Sequence, residues 1–177
     1  MWEAGEYLDD LKMIKKGDLI PSVPVKLVNN SGVTDADSAV VLGAGKIVLF
    51  TLPGAFTPTC HANHLPGYVA GAPEIRAKGV NRIICATVND EFVVKAWAND
   101  QSALGAVEFI ADGNCELAKA LGLAVDRTAS VMGTRFVRAA LIINDGIVES
   151  VFTEDKNGQV TSSGAHAILA TLETETA

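Results

Sequence analysis

The chain has 177 residues, 49% of them hydrophobic, which allows one domain with a sizeable core, suits a compact α/β protein and excludes disorder. Its 14 basic residues against 21 acidic ones leave a net charge of −7, which opposes phosphate backbones and anionic lipid, so neither nucleic acid nor membrane is expected as a partner. The three cysteines are too few and scattered for a secreted disulfide framework, and a reducing, cytoplasmic setting is expected; a mitochondrion or plastid is the alternative if a transit peptide precedes this numbering.

Residues 1–17 carry apolar positions at Leu8, Leu11 and Ile14 and read as a short amphipathic helix or an irregular arm. Val25 to Val28 alternates like a strand and closes on the turn Asn29-Asn30-Ser31-Gly32, whose glycosylation sequon is read as turn chemistry. The apolar region Ala39 to Phe56 is broken by Gly43, Gly45, Lys46 and Pro53, so it is no membrane span. Gly43-Ala44-Gly45-Lys46 has the look of a phosphate loop, but Lys46 opens a strand instead of a helix, which removes nucleotide binding. Ile47 to Leu52 and Asn81 to Val88 are apolar on both alternations, the pattern of central strands covered on both faces. Cys60 to Lys78 is long enough for the crossover helix between them, giving a βαβ unit.

Glu91 to Ser102 is predicted helical with Asp90 as N-cap and Phe92, Val93, Ala96 and Trp97 on one face. Val107 to Ile110 is a short strand, and Asp112-Gly113 a turn. Asn114 is expected to cap a helix from Cys115 to Leu121 that Gly122 ends. Ala139 to Ile143 and Ile147 to Phe152 form a hairpin through Asn144-Asp145-Gly146, and Gly164 to Leu172 the last helix. With no repeat or long linker, residues 1–177 are expected to form a single domain, a mixed central β-sheet with helices on both faces.

The stretch Pro53-Gly54-Ala55-Phe56-Thr57-Pro58-Thr59-Cys60 joins a central strand to the crossover helix, and residues Ser38 to Pro73 carry a single charged residue, Lys46. Thr57 suits the N-cap and Pro58 the next position, which puts Cys60 at the third helical position. Free N–H groups and the helix dipole favour a thiolate there. The Thr57 hydroxyl can both donate and accept toward the sulfur and a bound oxygen. Pro53 and Phe56 are expected to form a rigid, dry rim. No second cysteine lies two residues from Cys60, so disulfide-oxidoreductase chemistry is absent.

These residues, with His64-Leu65-Pro66-Gly67-Tyr68, Val88-Asn89-Asp90-Glu91-Phe92-Val93, Asp112-Gly113, Ala120-Leu121-Gly122-Leu123 and Gly133-x-Arg135-x-x-Arg138, resemble the motifs of the peroxiredoxins, most closely the type II, or fifth, subfamily. The resemblance implies a thioredoxin-like fold and thiol-dependent reduction of hydrogen peroxide and alkyl hydroperoxides without metal or organic cofactor. By position it implies that Cys60 attacks the peroxide and becomes sulfenic acid, that Thr57 orients the peroxide and that Pro53 shields the intermediate. Arg138 would supply the charge the loop lacks, with Arg135 as its rival; the aromatic residue that often follows this arginine is Ala139 here. It also implies a homodimer with its interface near the active-site loops.

Cys85 lies in a strand run where burial alone explains it, yet plant-like members of the subfamily carry a resolving cysteine at the matching position, so it stands as a resolving candidate. Animal members place theirs near the last helix, where this chain has Val160-Thr161-Ser162-Ser163. Cys115 is read as a packing or surface thiol. An external thiol, glutathione with glutaredoxin or thioredoxin, then re-reduces Cys60. Cys60, His61 and His64 raise a zinc reading, since Cys60 and His64 share a helical face and His166 could add a ligand, but structural zinc usually needs four well-spaced ligands, and no metal is expected. The other class of function is a peroxide sensor or redox-regulated chaperone using the same cysteine.

Overall fold

The computed structural model describes residues 12–155 and 158–175. In chain order its elements are β1 (Pro24–Asn29), β2 (Gly32–Asp37), α1 (Ser38–Val41), β3 (Lys46–Leu52), a π-helical turn (Cys60–His64), α2 (Leu65–Ala77), β4 (Arg82–Thr87), α3 (Glu91–Asp100), β5 (Glu108–Ala111), α4 (Glu116–Ala120), β6 (Ala124–Asp126), a 3₁₀ turn (Thr128–Ser130), β7 (Thr134–Phe136), β8 (Ala139–Asn144), β9 (Ile147–Thr153) and α5 (Ala165–Glu175). Seven strands form one sheet in the order β2-β1-β5-β4-β3-β8-β9, and β6 pairs with β7 apart from it. β3 and β4 run parallel, as the crossover through α2 requires, while β3 and β8 run antiparallel, so the sheet is mixed.

The double alternation of β3 and β4 fills two cores. Val48, Phe50, Leu52, Ile83 and Cys85 enter one, which also holds Tyr68, Trp97, Phe109 and Ile168; α2, α3 and α5 supply its outer wall. Ile47, Leu49, Ile84 and Ala86 enter the other, against Leu117, Leu121, Phe136 and Leu141. Each fully buried large apolar side chain contributes about 1.5–3 kcal/mol. Helices therefore cover both faces, and the fold is thioredoxin-like.

The β8–β9 hairpin turns at Asp145 and Gly146, both with positive φ (47° and 79°), the backbone that the Asn-Asp-Gly sequence suits. At the β1–β2 turn the Asn29 side chain accepts from the Ser31 N–H at 2.9 Å. β2 is absent from the sequence reading because Gly-Val-Thr-Asp-Ala-Asp has no apolar face; it is a polar edge strand. The short β6–β7 pair escapes for want of length.

Two expectations are corrected. In α3 the buried residues are Val94, Trp97 and Ala98, whereas Phe92 and Ala96 are exposed; Asp90 does cap it, accepting from the Val93 N–H at 2.9 Å. In α4 the cap is Asp112, not Asn114: its carboxylate accepts from the Leu117 and Ala118 N–H groups at 3.1 and 2.9 Å. Its reach spans the turn because Cys115, with φ 63°, bends the chain left-handed at the helix start. Of the two readings of the N-terminal segment, residues 12–17 follow the irregular arm, anchored by Ile14 N–H to Leu121 O and Gly17 N–H to Val148 O; the rest of that segment lies outside the described residues. No helix among the described residues is long and apolar enough to cross a membrane.

Candidate active site

β3 delivers the chain to Pro53, and helical backbone begins at Pro58, so Cys60 occupies the third helical position as its spacing predicts. The Thr57 carbonyl accepts from the His61 N–H at 2.9 Å. The Thr57 hydroxyl, however, donates to Gly54 O at 2.7 Å and makes no cap bond. Beyond Cys60 the helix widens: its carbonyl accepts from the Leu65 N–H five residues on, a π-turn of the kind often found at functional sites.

The loop is held from two sides. Asn89 Oδ1 accepts from the Ala55 N–H at 2.9 Å and from the Thr87 hydroxyl at 2.7 Å, tying the loop to the end of β4. Arg135 donates to the carbonyls of Val88, Pro53 and Met132 at 3.2, 3.4 and 2.8 Å. Gly54 admits this arginine, since a Cβ there would stand 2.9 Å from Arg135 Nη1. Arg135 is thus committed to backbone carbonyls, and Arg138, immediately before β8, is the arginine at the sulfur.

Arg138 Nη2 donates to Cys60 Sγ at 3.2 Å across 78 residues of sequence. Its Nη1 meets His64 Nδ1 at 2.9 Å, and His64 Nε2 meets Ser163 O at 3.0 Å. A guanidinium only donates and a carbonyl only accepts, so the imidazole carries its proton on Nε2 and takes the Arg138 bond on Nδ1. Burial, and then the charge of Arg138, lower the His64 pKa from 6.5 to about 4, which keeps the ring neutral. Tyr68 donates to the same Ser163 carbonyl at 2.6 Å, and its ring stacks on Phe50 with centroids 3.9 Å apart. Ser163 in turn donates through its N–H and hydroxyl to Glu154 at 2.8 and 2.6 Å. Burial pushes the Glu154 carboxyl up, but the bonds from Ser163 and Thr161 outweigh it and hold the group below the usual carboxylate range.

Cys60 has no solvent exposure, and Arg138 is 4% exposed. Above them lies a cavity of about 260 Å³ whose wall includes Pro53, Thr57, Pro58, Arg127, Met132 and Arg138. Arg138 Nε is buried there with no hydrogen-bond partner among the described residues. Pro53 is buried as expected of a rim residue. Phe56 is not part of this wall: it is half exposed, has φ 60° and lies over the His61 ring, 5.9 Å between centroids.

Cys85 is fully buried in β4 between Phe50 of β3 and Phe109 of β5, in the same core as Cys60. Burial, and then the neighbouring Cys60, push its thiol well above the usual range. Cys115 is buried, and burial followed by Asp112 raises its pKa. All three thiols are free. Both ring nitrogens of His64 are engaged, and no group of three or more His, Cys, Asp or Glu among the described residues could hold a metal ion.

The sequence reading missed His64 as the acceptor for Arg138, and Arg127 and Met132 as parts of the wall. The four-residue spacing of Cys60 and His64 was a usable signal for the first. None existed for the others, because the β6–β7 excursion that carries them is not visible as a pattern.

A buried cysteine at the start of the helix after a central strand, bonded to an arginine from a distant strand of a thioredoxin-like sheet, defines the class of thiol-based redox enzymes. The redoxin family model matches residues 15–169. Peroxiredoxin-2B of Arabidopsis thaliana is 39% identical over 160 residues, 90% of this chain and 98% of that protein. Peroxiredoxin-2C of Oryza sativa subsp. japonica is 41% identical over 157 residues, 88% and 96% of the two chains. Among solved structures, reduced Prx3 from Vibrio vulnificus in complex with H₂O₂ superposes with a TM-score of 0.84 at 39% identity, covering 90% of this chain and 99% of that one. The chain belongs to the redoxin family as a peroxiredoxin, with relatives of the peroxiredoxin-2 type, and is a thiol peroxidase.

Proposed function

We propose that this peroxidase reduces hydrogen peroxide and alkyl hydroperoxides at Cys60, with Thr57, Pro53 and Arg138 completing the site. The observation that carries the reading is the Arg138 guanidinium 3.2 Å from Cys60 Sγ at the floor of an open cavity. Because the Thr57 proton is committed to Gly54 O, its oxygen is left as an acceptor for the hydroperoxide O–H. Arg138 Nε–H is the donor for a peroxide oxygen. The Cys60 thiolate then attacks the distal oxygen: the S–O bond forms, the O–O bond breaks, sulfur loses two electrons and the peroxide gains them. The distal oxygen keeps its hydrogen as S–OH, and the leaving oxygen takes the proton the thiol released. Arg138 stabilises the charge developing on that leaving oxygen. Pro53 keeps water from the sulfenic acid.

An external thiol, glutathione with glutaredoxin or thioredoxin, is the proposed reductant. Cys85 is the internal candidate, but its place between Phe50 and Phe109 at the sheet centre means that β4 would have to separate from its neighbours to bring it to Cys60. Phe56, Phe92 and Val131 are 50%, 76% and 94% exposed; the first is in the active-site loop, and the others follow Asn89 and precede Met132, which supports a homodimer interface beside the site. A single domain in a reducing compartment, such as the cytoplasm, completes the proposal.

The test is peroxide consumption by wild type, Cys60→Ser and Cys85→Ser with each reductant. Cys60→Ser should lose turnover with both, and unchanged turnover would sink the reading. Cys85→Ser should keep turnover with both; loss with thioredoxin alone would make Cys85 the resolving residue.

A further inference from the structure

Arg138 presents one nitrogen to Cys60 Sγ and another to His64 Nδ1, 3.2 and 2.9 Å away. A long side chain keeps such a pose only where its partners are themselves held in place. His64 is held through its other nitrogen by Ser163 O at 3.0 Å, and Tyr68 donates to the same carbonyl at 2.6 Å. Ser163 lies in the turn ahead of α5, so no strand or helix fixes the direction of its carbonyl. That turn converges on one carboxylate. Glu154 accepts from the N–H and hydroxyl of Thr161 at 2.7 and 2.6 Å, and from the N–H and hydroxyl of Ser163 at 2.8 and 2.6 Å. The same residue also reaches Arg138 from behind. Ala139 pairs with Thr153 at the open end of the β8–β9 hairpin, and one step further out the Glu154 N–H donates to Arg138 O at 3.3 Å. Glu154 therefore ties the backbone of Arg138 to the turn that carries the His64 acceptor.

We propose that Glu154 is a positioning residue for the peroxidase reaction: its carboxylate aims the Ser163 carbonyl at His64 and, through His64, sets the pose of Arg138 at Cys60. Glu154 touches neither the sulfur nor the cavity wall among its described contacts, so its effect on the chemistry passes through the imidazole. Three of its four side-chain bonds fall on one oxygen, from Thr161 N–H, Ser163 N–H and the Ser163 hydroxyl. Glutamine keeps that oxygen, and its amide can donate to the Thr161 hydroxyl, whereas alanine releases the whole turn. The inference rests on the peroxidase reading at Cys60.

Reduced protein, with no reductant present, is mixed with hydrogen peroxide, and Cys60 sulfenic acid is counted over time by mass spectrometry. Glu154→Ala should slow its formation by about five- to tenfold, because reactivity falls steeply when a charge-stabilising group is misplaced. Glu154→Gln should keep at least about half of the wild-type rate. Asp112→Ala removes the cap of α4 instead and should react like wild type, which separates positioning from a general loss of stability. The second readout involves no chemistry. The proton resonance of the His64 ring N–H, identified by its absence in His64→Leu, should be present in wild type, Glu154→Gln and Asp112→Ala and be broadened by exchange with water in Glu154→Ala. In a His64→Leu background Glu154→Ala should add less than about a twofold loss, since residues acting through one another are not additive. A Glu154→Ala rate equal to wild type, equal slowing in Asp112→Ala, or an undiminished loss in the His64→Leu background overturns the inference. So does an unchanged His64 resonance in a slowed Glu154→Ala. If hydrogen peroxide fails to oxidise Cys60 in the wild type, the peroxidase reading fails instead, and the resonance still decides whether Glu154 positions His64.

Discussion

Replacing His64 by Leu tests whether Arg138 is held at the sulfur by a neutral imidazole. The substitution removes the acceptor of the 2.9 Å bond from Arg138 Nη1 and leaves a buried charged donor without it. That costs about 1.5–3 kcal/mol of stability, and a guanidinium free to tilt away from Sγ should lower the rate of Cys60 oxidation by about 10–100-fold. His64→Asn keeps an acceptor near the Nδ1 position and should recover part of the rate. The pH dependence separates this account from a loss of packing. With its folded-state pKa lowered from 6.5 to about 4, His64 binds a proton in the unfolded chain before it does in the folded one. Stability is therefore fully present above pH 6.5 and falls as the pH drops toward 4. At about 1.4 kcal/mol per pKa unit the wild type should lose about 3 kcal/mol relative to His64→Leu over that window. The assay is urea denaturation of both proteins at intervals from pH 7 to 4. Carboxylates remote from the site titrate alike in both and cancel in the difference. A stability difference that is flat across the window, or a His64→Leu rate equal to wild type, would refute the reasoning.

Arg138→Lys keeps a positive charge but not the fork that serves Cys60 Sγ and His64 Nδ1 together; the rate constant for sulfenic acid formation should fall by about 10²–10³-fold, measured by rapid-quench mass spectrometry. Asp112→Ala deprives the Leu117 and Ala118 N–H groups of their acceptor at the start of α4 and should cost about 1–2 kcal/mol in a denaturation curve.

The fold was legible wherever the side-chain pattern had one physical cause. The doubly apolar runs of β3 and β4 could only be central strands, and Asn144-Asp145-Gly146 could only be a tight hairpin. Thr57-Pro58 likewise fixed the helical position of Cys60. The failures have causes as definite. Phe92 suggested a buried face by its size, yet it is exposed and the buried stripe runs through Val94, Trp97 and Ala98. Asn114 had the right chemistry for a cap in the right place, but the left-handed backbone at Cys115 hands the N–H groups to Asp112. The site divides similarly. Cys60, Thr57 and Pro53 are local and visible, and Arg138 came through resemblance to a family motif. The chain Arg138, His64, Ser163, Glu154 depends on tertiary placement of α5's leading loop, which no local pattern encodes.

The near absence of charge from Ser38 to Pro73 acquires a physical reason from that chain. A guanidinium buried beside Cys60 is costly unless an anion faces it, and the group it contacts that can carry negative charge is the sulfur. A carboxylate in the loop would compete for Arg138, and a second cation in contact would repel it. His64 is the titratable ring placed where it could do the second, and burial keeps it neutral. It hands its one proton to Ser163 O, keeps a lone pair for Arg138, and so leaves the other end of the guanidinium aimed at Cys60. The charge-poor loop and the neutral histidine are two parts of one arrangement: each removes a rival, so that the second nitrogen of the Arg138 guanidinium is directed at Cys60 Sγ, where the proposed chemistry needs it.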